Sequence, residues 1–88
     1  MLNMIEIMEL IYNRPEDLLH TKTDKSGHLY FKCKELKKIV FKINPNRRTL
    51  YIRKPGPTQT YVNMGCLVST EQAKSLIQNA INMNRRKR

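Results

Sequence analysis

Four side chains in this sequence have the donor chemistry of a soft-metal site: His20, His28, Cys33 and Cys66. No two of them fall at the close spacing that tetrahedral zinc coordination uses, so the reading is no metal. A cysteine–histidine nucleophile fares no better, because His28 and Cys33 lie an odd number of positions apart and alternate to opposite sides of a strand. The carboxylates are scattered singly, and the one adjacent pair, Glu16 and Asp17, has an ordinary role at a helix start. A general acid and base need two groups in divergent environments, which this spacing does not supply. Gly27, Gly56 and Gly65 are isolated, so there is no glycine-rich phosphate loop. These residues predict a protein that is not an enzyme and holds no cofactor.

The remaining chemistry is cationic and aromatic. Read in twos from His28 to Arg53, the chain puts Leu29, Phe31, Cys33, Ile39, Phe41, Ile43, Leu50 and Ile52 on one side. Tyr30, Lys32, Lys34, Lys38, Lys42, Tyr51 and Arg53 fall on the other. Lysine attracts phosphate by releasing counterions, arginine adds bidentate contacts, and tyrosine offers a ring on which an unpaired base stacks. Outward lysine is also the ordinary protection of an exposed strand against aggregation. The concentration of all three residue types on adjacent strands favours a nucleic-acid surface, with Arg47 and Arg48 gripping the backbone from a turn at its margin. The terminal run Arg85, Arg86, Lys87 and Arg88 adds mobile positive charge beside it. DNA and RNA, single and double strands, are left open.

The elements that must position these groups follow from periodicity and punctuation. Met4, Ile7, Met8 and Ile11 trace a helical stripe from about Asn3 to Tyr12, widened by Ile5 and Leu10 and closed by Asn13. Pro15 to His20 predicts a second short helical turn, and Thr21 to Gly27 a loop. Strands are expected from His28 to Lys34, Lys38 to Ile43 and Thr49 to Arg53, the last two joined by a turn at Asn44-Pro45-Asn46-Arg47. Lys54-Pro55-Gly56-Pro57 breaks the pattern, and Thr58 to Val68 is either a fourth, short strand or a crossing loop. Ser69 and Gln72 make a capping box for a final helix whose apolar face is Ala73, Leu76, Ile77, Ala80 and Ile81.

Two helices, each with one oily stripe, need a surface to cover. The sequence therefore predicts a two-layer α+β domain over residues 1–84, with an N-terminal helix, a three- to four-stranded antiparallel sheet and a C-terminal helix packed on one sheet face. Residues 85–88 are expected as a basic disordered tail. In outline this order is similar to that of the double-stranded-RNA-binding domain, but the family's glycine-proline-histidine loop and lysine-rich helix start are absent. A three-stranded sheet backed by a helix is similar in layout to the arm-binding domains of phage integrases. Neither likeness extends to motifs, and no family is assigned from it.

Charge distribution supports the same surface. The net charge of +10 is uneven: residues 1–30 hold three basic and five acidic side chains, residues 31–58 nine against one, and residues 59–88 five against one. Such asymmetry suits a polyanion or an acidic protein surface. The alternative function is a small inhibitor or adaptor, of the phage or mobile-element type, that binds an acidic patch on a nucleic-acid-processing protein through this face, Tyr12, Tyr61 or exposed methionines. No membrane partner is expected, since the basic residues lie on strands and not on a free amphipathic helix, and no long apolar run is present. Two cysteines are too few for a disulfide scaffold and read as free thiols, and the apolar start lacks a basic leader; both point to the cytoplasm. Oligomeric state is left open.

Overall fold

The computed structural model describes residues 1–85 of the chain. Its first element, α1 (Met4–Tyr12), starts because Asn3 and Glu6 cap each other: the Glu6 amide donates to Asn3 Oδ1 at 2.8 Å and the Asn3 amide to Glu6 Oε1 at 2.9 Å. Asn13 ends it, its amide reaching back to the Glu9 carbonyl. Ile7 and Ile11 are fully buried and Met4, Met8 and Leu10 pack beside them. Ile5 is 73% exposed, so it does not widen the buried stripe as its sequence position suggests.

The expected helical turn at Pro15 to His20 and loop at Thr21 to Gly27 are replaced by a strand, β1 (Leu18–Thr23). The turn that precedes it ends at Asp17, whose φ of 62° no helix tolerates and whose carbonyl accepts the Lys34 amide. From there period-two alternation takes over: Leu18 enters the core at 2% exposure while Leu19 faces outward. Pairing with a neighbouring strand overrides the local helix-start signal.

Four more strands follow, β2 (Leu29–Cys33), β3 (Lys38–Asn44), β4 (Thr49–Arg53) and β5 (Tyr61–Cys66), and the order is a plain antiparallel meander from β1 to β5. The sheet thus has five strands, not three or four. The segment between Thr58 and Val68 resolves as a strand, with Gly65 at φ +91° supplying an irregularity that a side chain would strain. The β3–β4 turn is held by Asn44, whose side-chain oxygen accepts the amides of Asn46 and Arg47 at 3.0 and 3.2 Å.

A bulge in β3 corrects the alternation read from sequence. Phe31 pairs with Phe41 but Lys32 pairs with Ile39, which leaves Val40 as the extra residue. Val40 and Phe41 are both fully buried, and Ile39 is carried to the outer side, only partly buried. The same shift puts Lys38 opposite Cys33, on the inner side of the sheet. Leu29 and Leu76, expected in the core, pack at its margin.

The last helix, α2 (Thr70–Arg85), begins at a modified capping box. Ser69 Oγ accepts the Gln72 amide, while the Gln72 side chain accepts from Val68 and donates to the Cys66 carbonyl, which ties the helix start to β5. Its far end is pinned by buried Asn84, whose Nδ2 donates to the Arg53 carbonyl at 3.0 Å. The helix includes Arg85, which therefore belongs to the fold and not to a tail; Arg86, Lys87 and Arg88 lie outside the described residues.

Both helices cover one face of the sheet, and the guanidinium of Arg14, paired with Glu16 at 2.9 Å, also donates to Gln78 to link them. The core between the layers is centred on Phe31 and Phe41, whose rings stack at 5.1 Å. Cys33 is buried and Cys66 exposed, and both are free thiols. Among the described residues no helix is long and apolar enough to cross a membrane.

Phe41→Ala is expected to cost about 3 to 5 kcal/mol, read as a lowered urea midpoint, since the cavity would open at the centre of both layers. The bulge makes a second expectation: Val40→Ala destabilises more than Ile39→Ala, although the isoleucine loses more atoms. Equal melting temperatures for Phe41→Ala and the parent, or the reverse order for the other pair, would contradict this core.

Candidate functional site

The face of the sheet that carries no helix is organised by strand register. Lys22 pairs with Tyr30, Tyr30 with Lys42, Lys42 with Tyr51, and Tyr51 with Asn63. Directly paired residues share a face, so a single row of alternating lysine and tyrosine crosses four strands and ends on Asn63 of the fifth. A second row holds Leu19, Lys32 and Ile39, and beyond the bulge Arg53 pairs with Tyr61.

Lys42 is the centre of this arrangement. Its ammonium lies 4.6 Å from the Tyr61 ring centroid, 5.2 Å from Tyr51 and 5.4 Å from Tyr30. Lys22 reaches Tyr30 from the other side at 4.8 Å. Each contact is within cation–π range and contributes on the order of 0.5 to 1 kcal/mol at a partly exposed site. Tyr30 meets Tyr61 edge-on at 5.8 Å, and His28 stacks on Tyr51 at 5.3 Å. Lys32, Lys42 and Arg53, expected to be exposed, are half-buried because these rings and neighbouring apolar side chains stand around them.

One acid belongs to the face. Asp24 closes the β1–β2 turn by accepting the amides of Ser26 and His28, and its other oxygen accepts the Tyr30 hydroxyl at 2.8 Å. The Tyr30 bond, with the two amides, holds its carboxyl below the ordinary aspartate value. Burial, reinforced by that carboxylate, pushes the Tyr30 phenol up to about 12. Burial also raises Tyr61, partly opposed by Arg53, and its hydroxyl is enclosed without a hydrogen-bond partner. His28 Nδ1 is enclosed as well, 3.8 Å from Asp24 Oδ2.

The structure brings together Tyr30, Lys32, Lys42, Tyr51 and Arg53 of the residues singled out from sequence. It takes others elsewhere. Lys38 lies across from buried Cys33, on the helix side. Lys34 is past the end of β2, 3.8 Å from Asp17. Arg48 turns its guanidinium onto the Met1 sulfur at 3.2 Å, beside the start of α1. Arg47 is exposed in the turn, and Arg85 forms an ion pair with Glu35 at 3.0 Å. Lys22, Tyr61 and His28 are the additions. Thr21 to Gly27 reads as a loop, which hides Lys22; plain alternation from Leu18 would also send it to the core side, and it reaches the outer face through the register shift between His20 and Lys22.

Among the described residues no group of three or more histidine, cysteine, aspartate or glutamate side chains is placed to hold a metal ion. No family model, curated protein or solved structure matches the chain.

The Asp24–Tyr30 bond has a testable titration. Tyr30 prefers its neutral form in the fold, so its stabilising effect is complete below pH 10 and is lost as pH rises towards about 12. Asp24→Asn should move the Tyr30 tyrosinate absorbance step, assigned by its disappearance in Tyr30→Phe, to lower pH. An unmoved step would mean that the carboxylate does not act on this phenol.

Proposed function

We propose that the protein binds nucleic acid through the helix-free face of its sheet. The observation that carries the reading is the register row Lys22, Tyr30, Lys42 and Tyr51, with Lys32 and Arg53 beside it. Paired strands hold these cations at fixed separations, and fixed cations over a broad surface are what phosphate contact requires. The chain's net charge of +10 adds long-range attraction to any polyanion. No catalytic role accompanies the binding. Two unpaired cysteines suit a reducing compartment such as the cytoplasm.

A protein-binding adaptor is the second reading, and α1 is the feature that favours it. Met4, Ile5, Met8 and Tyr12 line an open cleft on that helix, with Ile5 and Tyr12 well exposed. Nucleic-acid binding by the sheet face weakens with salt, whereas docking of an apolar partner in this cleft does not.

If about four phosphates are neutralised, the logarithm of affinity for duplex DNA falls against the logarithm of salt with a slope of roughly −3 to −4. Replacing Lys22, Lys32 and Lys42 together by glutamine should flatten that slope by about two to three. Lys38→Gln, on the helix side, should leave it unchanged. Binding that ignores salt, or a triple variant indistinguishable from the parent, would remove the sheet face from the site.

A further inference from the structure

We infer that this face takes nucleic acid in duplex form, lying across the phosphate ridges and reading no base; the inference rests on the nucleic-acid reading above. Its first support is the state of the tyrosines. Single-strand surfaces gain their affinity from rings on which bases stack, and a ring can do this only with an open face. Tyr30 has an ammonium over it from each flanking strand, Lys22 on one side and Lys42 on the other. Tyr51 carries both the His28 ring and Lys42, and Tyr61 is met by Lys42 and stands perpendicular to Tyr30. The aromatic surface is committed to holding lysines.

The second support is width. The row from Lys22 to Asn63 crosses five strands, and at about 4.8 Å between neighbours it spans roughly 19 Å. The major groove of B-form DNA is about 12 Å wide and admits a helix or a two-stranded ribbon, so this face cannot descend to the base edges. It can lie over the groove, with Lys22 and Lys42, two strands apart, placed for separate phosphates. A rigid array of cations also favours the partner of higher charge density, which is the duplex. The chemistry recognised is the paired phosphate ridge, common to duplex DNA and duplex RNA.

Equilibrium binding of the full chain to duplex DNA, duplex RNA and single-stranded DNA of equal length tests this, with tyrosine emission recorded throughout. The chain has four tyrosines and no tryptophan, so stacking by a base would appear directly as quenching. Expected are tighter binding to one or both duplexes than to the single strand, closely similar affinities for duplexes of unrelated sequence, and little quenching. At the slope given above, raising salt from about 50 to about 200 mM should weaken duplex binding roughly 60- to 250-fold. Tighter single-strand binding with strong quenching that Tyr51→Leu removes would overturn the duplex assignment while leaving the nucleic-acid reading intact. Tenfold discrimination between duplex sequences would overturn the base-blind part. Absence of salt-sensitive binding to all three would overturn the nucleic-acid reading and this inference with it.

Discussion

The contact between the Lys42 ammonium and three tyrosine rings is what the outer face of this protein is built around. A sheet covered on one side must leave its other side to water, and long side chains there ordinarily wander. Here Lys42 is held by rings from β2, β4 and β5, so strands on both sides of β3 are tied together above the sheet as well as by their ladder. Asp24 fastens Tyr30 from the β1–β2 turn, and Lys22 closes the row at the β1 edge. The arrangement converts a set of flexible cations into a fixed pattern of charge.

The other layer supplies the rigidity that this pattern needs. Phe31 and Phe41 stack at the centre of the core, directly beneath the rows that carry Tyr30, Lys32 and Lys42. Because successive strand residues alternate, any slip that exposed Phe41 would bury Lys42. Core and site are thus two faces of one register. The bulge at Val40 is where that register is adjusted, and it decides that Ile39 faces outward and Lys38 inward.

Periodicity made much of this legible without coordinates. The stripe from Met4 to Ile11, the alternation of Phe31, Phe41, Ile43, Leu50 and Ile52, and the Ser69–Gln72 cap each announce an element whose type the structure confirms. What sequence could not carry was pairing. The helix-start signal at Pro15-Glu16-Asp17 is local, whereas β1 forms because β2 offers it a partner. Tyr61–Cys66, adjacent to two prolines and a glycine, becomes a strand for the same reason against β4. The bulge has no local signature, so plain alternation sends Lys38 to the outer face, whereas it pairs with Cys33 on the inner one. Arg48 was placed by its turn, but the direction of its head depends on Met1, distant in sequence.

Backbone amide resonances followed during titration with a short DNA duplex test the central claim most directly. The account predicts that the resonances of Lys22, Tyr30, Lys42, Tyr51 and Asn63 move together and saturably, while those of Ile5, Met8 and Tyr12 on α1 stay in place. Shifts confined to α1, or none on the sheet while the duplex is bound, would contradict it.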